Sequence, residues 1–133
     1  MRLIHYPLGL CLCVLLAVTG CSGGEVRPWP ERITRMGYLM QPPVDGIRNY
    51  SVEGWHDLDA QHIIIETGTP TDYLITLAGD CDGLGGAVTI GFSSVNGDLA
   101  LSDELIIRQI DSNYKCPLKA INPLQRGNQT RKG

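Results

Sequence analysis

Residues 72–93 read DYLITLAGDCDGLGGAVTIGFS, and this stretch decides the fold. In residues 72–78, the tyrosine, the isoleucine and the second leucine fall at every second position, which places them on one face of a strand. Residues 88–93 alternate valine, isoleucine and phenylalanine with threonine, glycine and serine, as a half-buried strand does. The glycine-rich link between them, residues 79–86, has room for one short helical turn. This order predicts an antiparallel β domain.

Further strand signals lie on both sides of this stretch. Asn96-Gly97 favours positive φ at both turn positions, so we predict a hairpin in which Leu99–Leu101 returns beside residues 88–93. Short strands at this spacing predict an all-β fold, a small antiparallel barrel or sandwich of about six to seven short strands with little helix. The remaining predicted strands are 47–55, 62–67, 105–110 and 115–121, separated by turns at 57–60, 68–71 and 111–113.

The last predicted strand carries a proline. In this strand Cys116, Leu118 and Ala120 alternate with other residues and are expected to share one face. Pro117 has no backbone N–H to donate, so the strand is expected to lie at a sheet edge or to start irregularly.

The N-terminal residues are typical of an export signal. Arg2 precedes an apolar run, Leu8–Val18, of roughly ten residues, too short to span a bilayer core of about 30 Å. The run ends in Val18-Thr19-Gly20-Cys21, which resembles a lipobox, where bacteria cleave before a cysteine and acylate its thiol. The alternative is an ordinary signal peptide with a chance cysteine. Ser22, rather than an aspartate, after the cysteine resembles the sorting pattern for the outer membrane.

These signals divide the chain into four parts. A short helix over residues 31–40, beginning near Pro30, is expected to interrupt the region before the β domain. The formal net charge of −3 argues against a nucleic-acid partner, which requires a basic face. The predicted parts are a lipoprotein signal peptide at 1–20, a lipidated tether and Pro-rich stalk at 21–46, a small β domain at 47–124 and a disordered basic tail at 125–133.

The cysteine count favours one disulfide. Of the 5 cysteines, Cys11 and Cys13 leave with the signal and Cys21 carries the lipid. Cys81 and Cys116 remain, an even number in an oxidising compartment, which favours a bond between them. Such a bond closes a loop of about 35 residues and contributes about 3–4 kcal/mol by the chain-entropy relation. The alternatives are a metal pair or a reactive thiol, but neither cysteine has another cysteine or a histidine at ligand spacing.

Several of these elements also resemble a known family. The chain from about Ile47 to Leu124 resembles an uncharacterised family of proteobacterial lipoproteins, the domain of unknown function DUF6491. That family has no established activity, so the resemblance implies a location and a fold but no catalytic residues. The residues that carry the likeness are Tyr73-Leu74-Ile75-Thr76-Leu77, Cys81-x-x-Leu84, Ile90-x-Phe92-x-Ser94, Asp103-x-Leu105-Ile106-Ile107 and Cys116-Pro117-Leu118-x-x-Ile121.

One polar cluster is a weak candidate for chemistry. His56, Asp57, Asp59 and His62 flank one predicted turn, and histidine with carboxylate suits zinc or acid–base work. The plainer interpretation is that turn residues are polar because they are solvated. A calcium loop starting at Asp80 lacks the required oxygen and glutamate ligands, and no serine stands in a nucleophile motif. No cofactor is predicted.

Two functions therefore compete. The first is a non-enzymatic lipoprotein of the cell envelope, on the periplasmic side and held in the outer membrane by lipid on Cys21, that binds an envelope protein or has a structural role. The second is a small periplasmic hydrolase or metal-binding protein that uses the His56–His62 region.

Overall fold

The computed structural model describes residues 27–127. The predicted signal peptide, Cys21 and most of the predicted basic tail lie outside the described residues. No helix within 27–127 has the length and apolar character needed to cross a bilayer. The elements are a helix α1 (Trp29–Arg35), a 3-10 turn (Leu84–Gly86) and the strands β1 (Tyr38–Met40), β2 (Gly46–Ile47), β3 (Gly54–Asp57), β4 (His62–Glu66), β5 (Thr71–Leu77), β6 (Thr89–Phe92), β7 (Leu99–Ala100), β8 (Glu104–Arg108) and β9 (Asn113–Arg126).

The main sheet is antiparallel and curls into a half-barrel. Its strand order is β3-β4-β5-β9-β8-β6, and β1 adds to β9 beside this path. A separate two-stranded sheet joins β2 to β7. The prediction of a small, disulfide-bonded all-β fold with little helix is confirmed.

Strand β9 organises the sheet because it pairs along both edges. Residues 118–125 pair with β5 along one edge. Along the other edge, residues 113–117 pair with β8, and residues 124–126 pair with β1. The expectation that the proline-containing strand lies at an edge is therefore wrong, since β9 is central. The expected irregularity is present, because the register with β5 shifts between Thr76 and Leu77.

This shift moves one predicted residue to the other face. Leu77 pairs with Leu118 and Thr76 pairs with Ala120, so Lys119 is an extra residue on β9. A β-bulge of this kind reverses the alternation of side chains beyond it. Ala120 therefore lies on the face opposite Cys116 and Leu118, contrary to prediction.

The sheet is buried on both faces. An inner core fills the concave face of the half-barrel, and an outer core lies between the sheet and α1. Burial on two faces accounts for the apolar run Ile63–Ile65 in β4, which has no polar position to alternate with. The inner core includes Ile63, Ile65, Ile75, Leu77, Leu105, Ile107 and Ile121, and the outer core consists of Ile33, Tyr38, Leu58, Ile64, Leu74 and Leu124, with Trp29 packed against it.

The folded unit is wider than the predicted 47–124. Pro30 stands in the first turn of α1, where a missing N–H costs nothing, and Gly37 ends the helix with a φ of 85°. The helix thus has room to pack Ile33 against the sheet before the chain turns back as β1. At the other end Gln125 and Arg126 belong to β9 and not to a tail. Both extensions bury apolar surface or complete sheet pairing.

One predicted strand and one predicted strand pairing are wrong. The predicted strand 47–55 is two strands, β2 and β3, with residues 48–53 between them outside any strand. Asn96 and Gly97 have the expected positive φ of 65° and 76°, but β7 pairs with β2 and not with β6. Strand β6 pairs instead with β8. The turn at Asn96 and Gly97 has the predicted backbone conformation. The partner of β7, however, is β2, which is more distant in sequence than β6.

The two cysteines of the domain are bonded. Cys81 in the link is bonded to Cys116 in β9, with 6.0 Å between their Cα atoms. Both are buried, and the Cys81 N–H donates to the Ala60 carbonyl oxygen. The bond therefore ties the link and the β3–β4 turn to the central strand, as predicted, in place of a metal pair or a free thiol.

Candidate functional site

The predicted histidine cluster divides into two separate pairs. His62 is buried, bonds the Asp59 carboxylate through Nδ1 at 2.8 Å, and stacks on the Trp29 ring with the centroids 4.3 Å apart. Burial opposes ionisation of Asp59, but hydrogen bonds from the Gln61 N–H and from His62 outweigh it and lower the Asp59 pKa. This pair fixes the β3–β4 turn and packs α1 against it.

The second histidine has a different partner. The exposed His56 contacts the Glu66 carboxylate through Nε2 at 2.6 Å. Asp57 pairs in register with Ile63 and joins neither histidine pair. Within residues 27–127, no three histidine, cysteine or acidic side chains come together in a way that could hold a metal ion. In this part of the chain no hydroxyl or thiol bonds to either histidine.

A polar cavity lies instead at the turn between β4 and β5. We call it the Asp72 cavity; its volume is about 370 Å³. Asp72 follows the first residue of β5 and is paired in register with Leu124, so its side chain lies on the outer face beside the outer core. The cavity is lined by Glu53, Glu66, Gly68, Thr69, Pro70, Asp72 and Arg126.

The carboxylate of Asp72 is buried and held by two donors. Its residue is only 3% exposed. The Tyr38 hydroxyl donates to Oδ2 at 2.5 Å, and the Arg126 guanidinium lies 3.5 Å from the same oxygen. Burial, the hydrogen bond to Asp72 and the charge of Asp72 raise the pKa of Tyr38 to about 12. Arg126 also lies over the Tyr38 ring, 6.0 Å from its centroid.

The turn that forms the cavity wall is locally specified. Gly68 has a φ of 71°, and a side chain there would collide with the Glu53 carboxylate. The buried Thr67 hydroxyl donates to the Thr71 carbonyl oxygen at 2.8 Å, which closes the turn. The Glu53 N–H donates to the Glu66 carbonyl oxygen at 2.8 Å and extends the β3–β4 pairing to the cavity. The cavity wall is therefore rigid.

This arrangement suits binding better than bond-breaking chemistry. Tyr38 and Arg126 both contact the Asp72 carboxylate and hold it in one orientation. The two glutamates bring further negative charge to the cavity, against a single guanidinium. Proton transfer or nucleophilic attack would require a carboxylate free to reach the reacting atom, whereas Tyr38 and Arg126 hold Asp72.

Sequence reasoning missed this cavity. The sequence pattern of residues 72–78 predicts only a strand, and Arg126 falls within the predicted disordered tail. One feature of the sequence does point to the cavity, an aspartate at the start of an apolar strand. A carboxylate buried there requires a hydrogen-bond donor. Its donors are remote in the chain, since Tyr38 lies 34 positions away from Asp72.

These features define a small, disulfide-bonded antiparallel half-barrel with a charged cavity on its outer face. A model for a family of unknown function, DUF6491, matches residues 4–132, and the chain belongs to this family. Neither the comparison with curated proteins nor that with solved structures gave a match.

Proposed function

We propose that the protein is a non-catalytic lipoprotein of the cell envelope. In this proposal Cys21 is acylated after cleavage of residues 1–20, and the lipid holds the β domain on the periplasmic side, in the outer membrane. The domain binds an envelope partner through the Asp72 cavity. The partner contributes a cationic group, such as a lysine ammonium, to the carboxylates of the cavity.

The observation that carries the location is the Cys81–Cys116 bond. Structural disulfides persist in oxidising compartments such as the periplasm and are rare in the cytosol, so the bond favours export. After cleavage before Cys21, the bonded pair would leave Cys21 as the one unpaired thiol in the sequence. A cysteine at the end of a lipobox-like motif is the residue that acylation requires.

The binding role is supported by the charge and rigidity of the cavity. Glu53, Glu66 and Asp72 outnumber the single Arg126, so the local field favours a cation. Because Asp72 is already desolvated and oriented, a bound cation would pay little to reorganise it. The hydrolase or metal alternative has weaker support, since His56 and His62 each pair with a separate carboxylate.

The partner contact can be tested by photo-crosslinking in living cells. A benzophenone amino acid replaces Pro70, an exposed residue of the cavity wall, in the full chain. The control places the same group at Ile110, which is 89% exposed on the turn before β9. We expect a discrete adduct from position 70 and none from position 110.

A second variant tests the chemistry of that contact. Asp72→Asn keeps the shape of the side chain but removes its charge, so the adduct from position 70 is expected to fall several-fold. Far-ultraviolet circular dichroism of the variant establishes that it is folded. An adduct that persists undiminished in a folded Asp72→Asn protein, or that forms equally from position 110, would contradict binding at the cavity.

A further inference from the structure

The surface formed by α1 and β1 carries several exposed apolar side chains. Leu39 and Met40 of β1 are 57% and 51% exposed, and Met36 at the end of α1 is also exposed. Between the two elements runs an open apolar groove of about 220 Å³. The groove is lined by Trp29, Pro30, Ile33, Thr34, Tyr38, Leu39 and Met40. We call these residues, with Met36, the α1–β1 surface.

The segment that forms this surface has a net charge opposite to that of the whole chain. Residues 27–40 contain three arginines and one glutamate, whereas the complete sequence has a net charge of −3. Glu31 is shared between Arg27 at 3.4 Å and Arg35 at 4.0 Å, so positive charge remains in excess. Exposed apolar side chains on a segment with an excess of arginine are a combination that binds an anionic lipid surface.

The position of this surface in the chain is the second argument. Trp29, the first residue of α1, follows Cys21 by eight positions. Eight residues span at most about 29 Å when fully extended. A lipid on Cys21 therefore keeps the α1–β1 surface close to the bilayer, while the turn at Ile110, before the opposite end of β9, lies farther along the molecule.

We propose that the α1–β1 surface docks on the bilayer that holds the lipid anchor, with the exposed side chain of Leu39 entering the interface between headgroups and acyl chains. This inference rests on the acylation of Cys21 in the proposed function. Docking fixes the orientation of the domain and turns its remaining faces toward the periplasm.

The test uses the full lipidated chain with one added thiol. With Cys21 acylated and Cys81 bonded to Cys116, Leu39→Cys carries the sole reactive thiol and takes a single nitroxide label. Ile110→Cys is the control, an apolar and even more exposed site on another part of the molecule. Both proteins are placed in vesicles of phosphatidylcholine with phosphatidylglycerol, and collisions of each label with oxygen and with a water-soluble nickel complex are measured.

We expect the oxygen-to-nickel collision ratio at position 39 to exceed that at position 110 by roughly threefold or more, because oxygen concentrates in the bilayer and nickel does not. Replacing Arg27 and Arg35 with glutamine is expected to lower the ratio at position 39. Equal ratios at the two positions would overturn the proposal, and so would dipolar broadening between labels at position 39, which would indicate a second copy. Intact mass is measured on the same samples. A missing acyl group there would contradict the proposed function and, with it, this inference.

Discussion

At the scale of single residues, Tyr38 joins the two features of the outer face. Its ring lines the apolar groove beside α1, and its hydroxyl donates to the buried Asp72 carboxylate in the polar cavity. A buried carboxylate without donors is strongly unfavourable, so this hydrogen bond is a condition for keeping Asp72 in the fold. A substitution at Tyr38 is therefore expected to affect both the apolar groove and the Asp72 cavity.

Removing the Tyr38 hydroxyl is expected to destabilise the domain. Tyr38→Phe leaves Asp72 without its closest donor, and we expect a loss of about 1–3 kcal/mol in the free energy of unfolding at pH 7. The free energy of unfolding of the variant is also expected to lose the dependence on alkaline pH that the Tyr38 hydroxyl gives the wild type. The folded pKa of about 12 lies above the ordinary tyrosine pKa of 10.0, so the wild-type contribution is complete below pH 10 and disappears as pH rises through 12.

The measurement is chemical denaturation of both proteins at several pH values. The stability difference between wild type and Tyr38→Phe should shrink between pH 10 and 12. The other tyrosines are the same in both proteins, so any contribution they make cancels in the difference. A difference that stays constant over this range would show that the hydroxyl has no special coupling to Asp72.

At the scale of elements, α1 and β9 determine the shape of the domain. The central strand β9 pairs along both edges, and its bulge at Lys119 directs Ile121 to the inner core and Leu124 to the outer core. Helix α1 covers the outer core and is held by Ile33, by the stacking of Trp29 on His62, and by a hydrogen bond from Arg32 to the Leu58 carbonyl oxygen. The segment before residue 47 is thus integral to the fold.

The packing of α1 can be tested by truncating its buried side chain. Ile33 is 3% exposed, and Ile33→Ala is expected to cost about 2–5 kcal/mol because it leaves a cavity in the outer core. Alanine favours helix, so the effect cannot come from helix propensity. Ile110→Ala is the matched control and should change stability by less than about 0.5 kcal/mol. If Ile33→Ala and Ile110→Ala both changed the midpoint of unfolding by the same small amount, α1 would be a loosely attached stalk.

Local patterns predicted the elements better than their pairing. The alternation in residues 72–78 and 88–93 gave two strands correctly, and the link between them does contain one helical turn. The pairing of β7 with β2 could not be predicted, because an Asn-Gly turn fixes the local backbone but not the more distant partner. Pro117 indicated an edge, yet a central strand accommodates it where its partners change, next to a bulge.

The candidate site was less predictable than the fold. The four residues His56, Asp57, Asp59 and His62 are neighbours in sequence, and the structure uses them in two separate local contacts. The Asp72 cavity instead collects residues from β4, β5, the segment before β3 and the end of β9. Such a site emerges only from the sheet register, which sequence patterns do not specify.

At the scale of the whole molecule, one pair of cysteines forms a disulfide within the domain. A different cysteine is proposed to attach the domain to the membrane. The Cys81–Cys116 bond ties the link to the central strand, and it lies in the inner core. In the proposed function Cys21 carries the lipid, eight positions before α1. In the proposed function the lipid anchor determines where the protein is located. The Asp72 cavity and the α1–β1 surface determine what the domain contacts.

Intact mass spectrometry of the protein purified from membranes tests this account most directly. The account predicts a chain that begins at Cys21, carries acyl groups on that residue, and lacks two hydrogens because Cys81 and Cys116 are bonded. Cys21→Ser supplies the control and should yield no acylated species. A chain that begins at Met1 without acyl groups, or one in which Cys81 and Cys116 both react as free thiols, would contradict it.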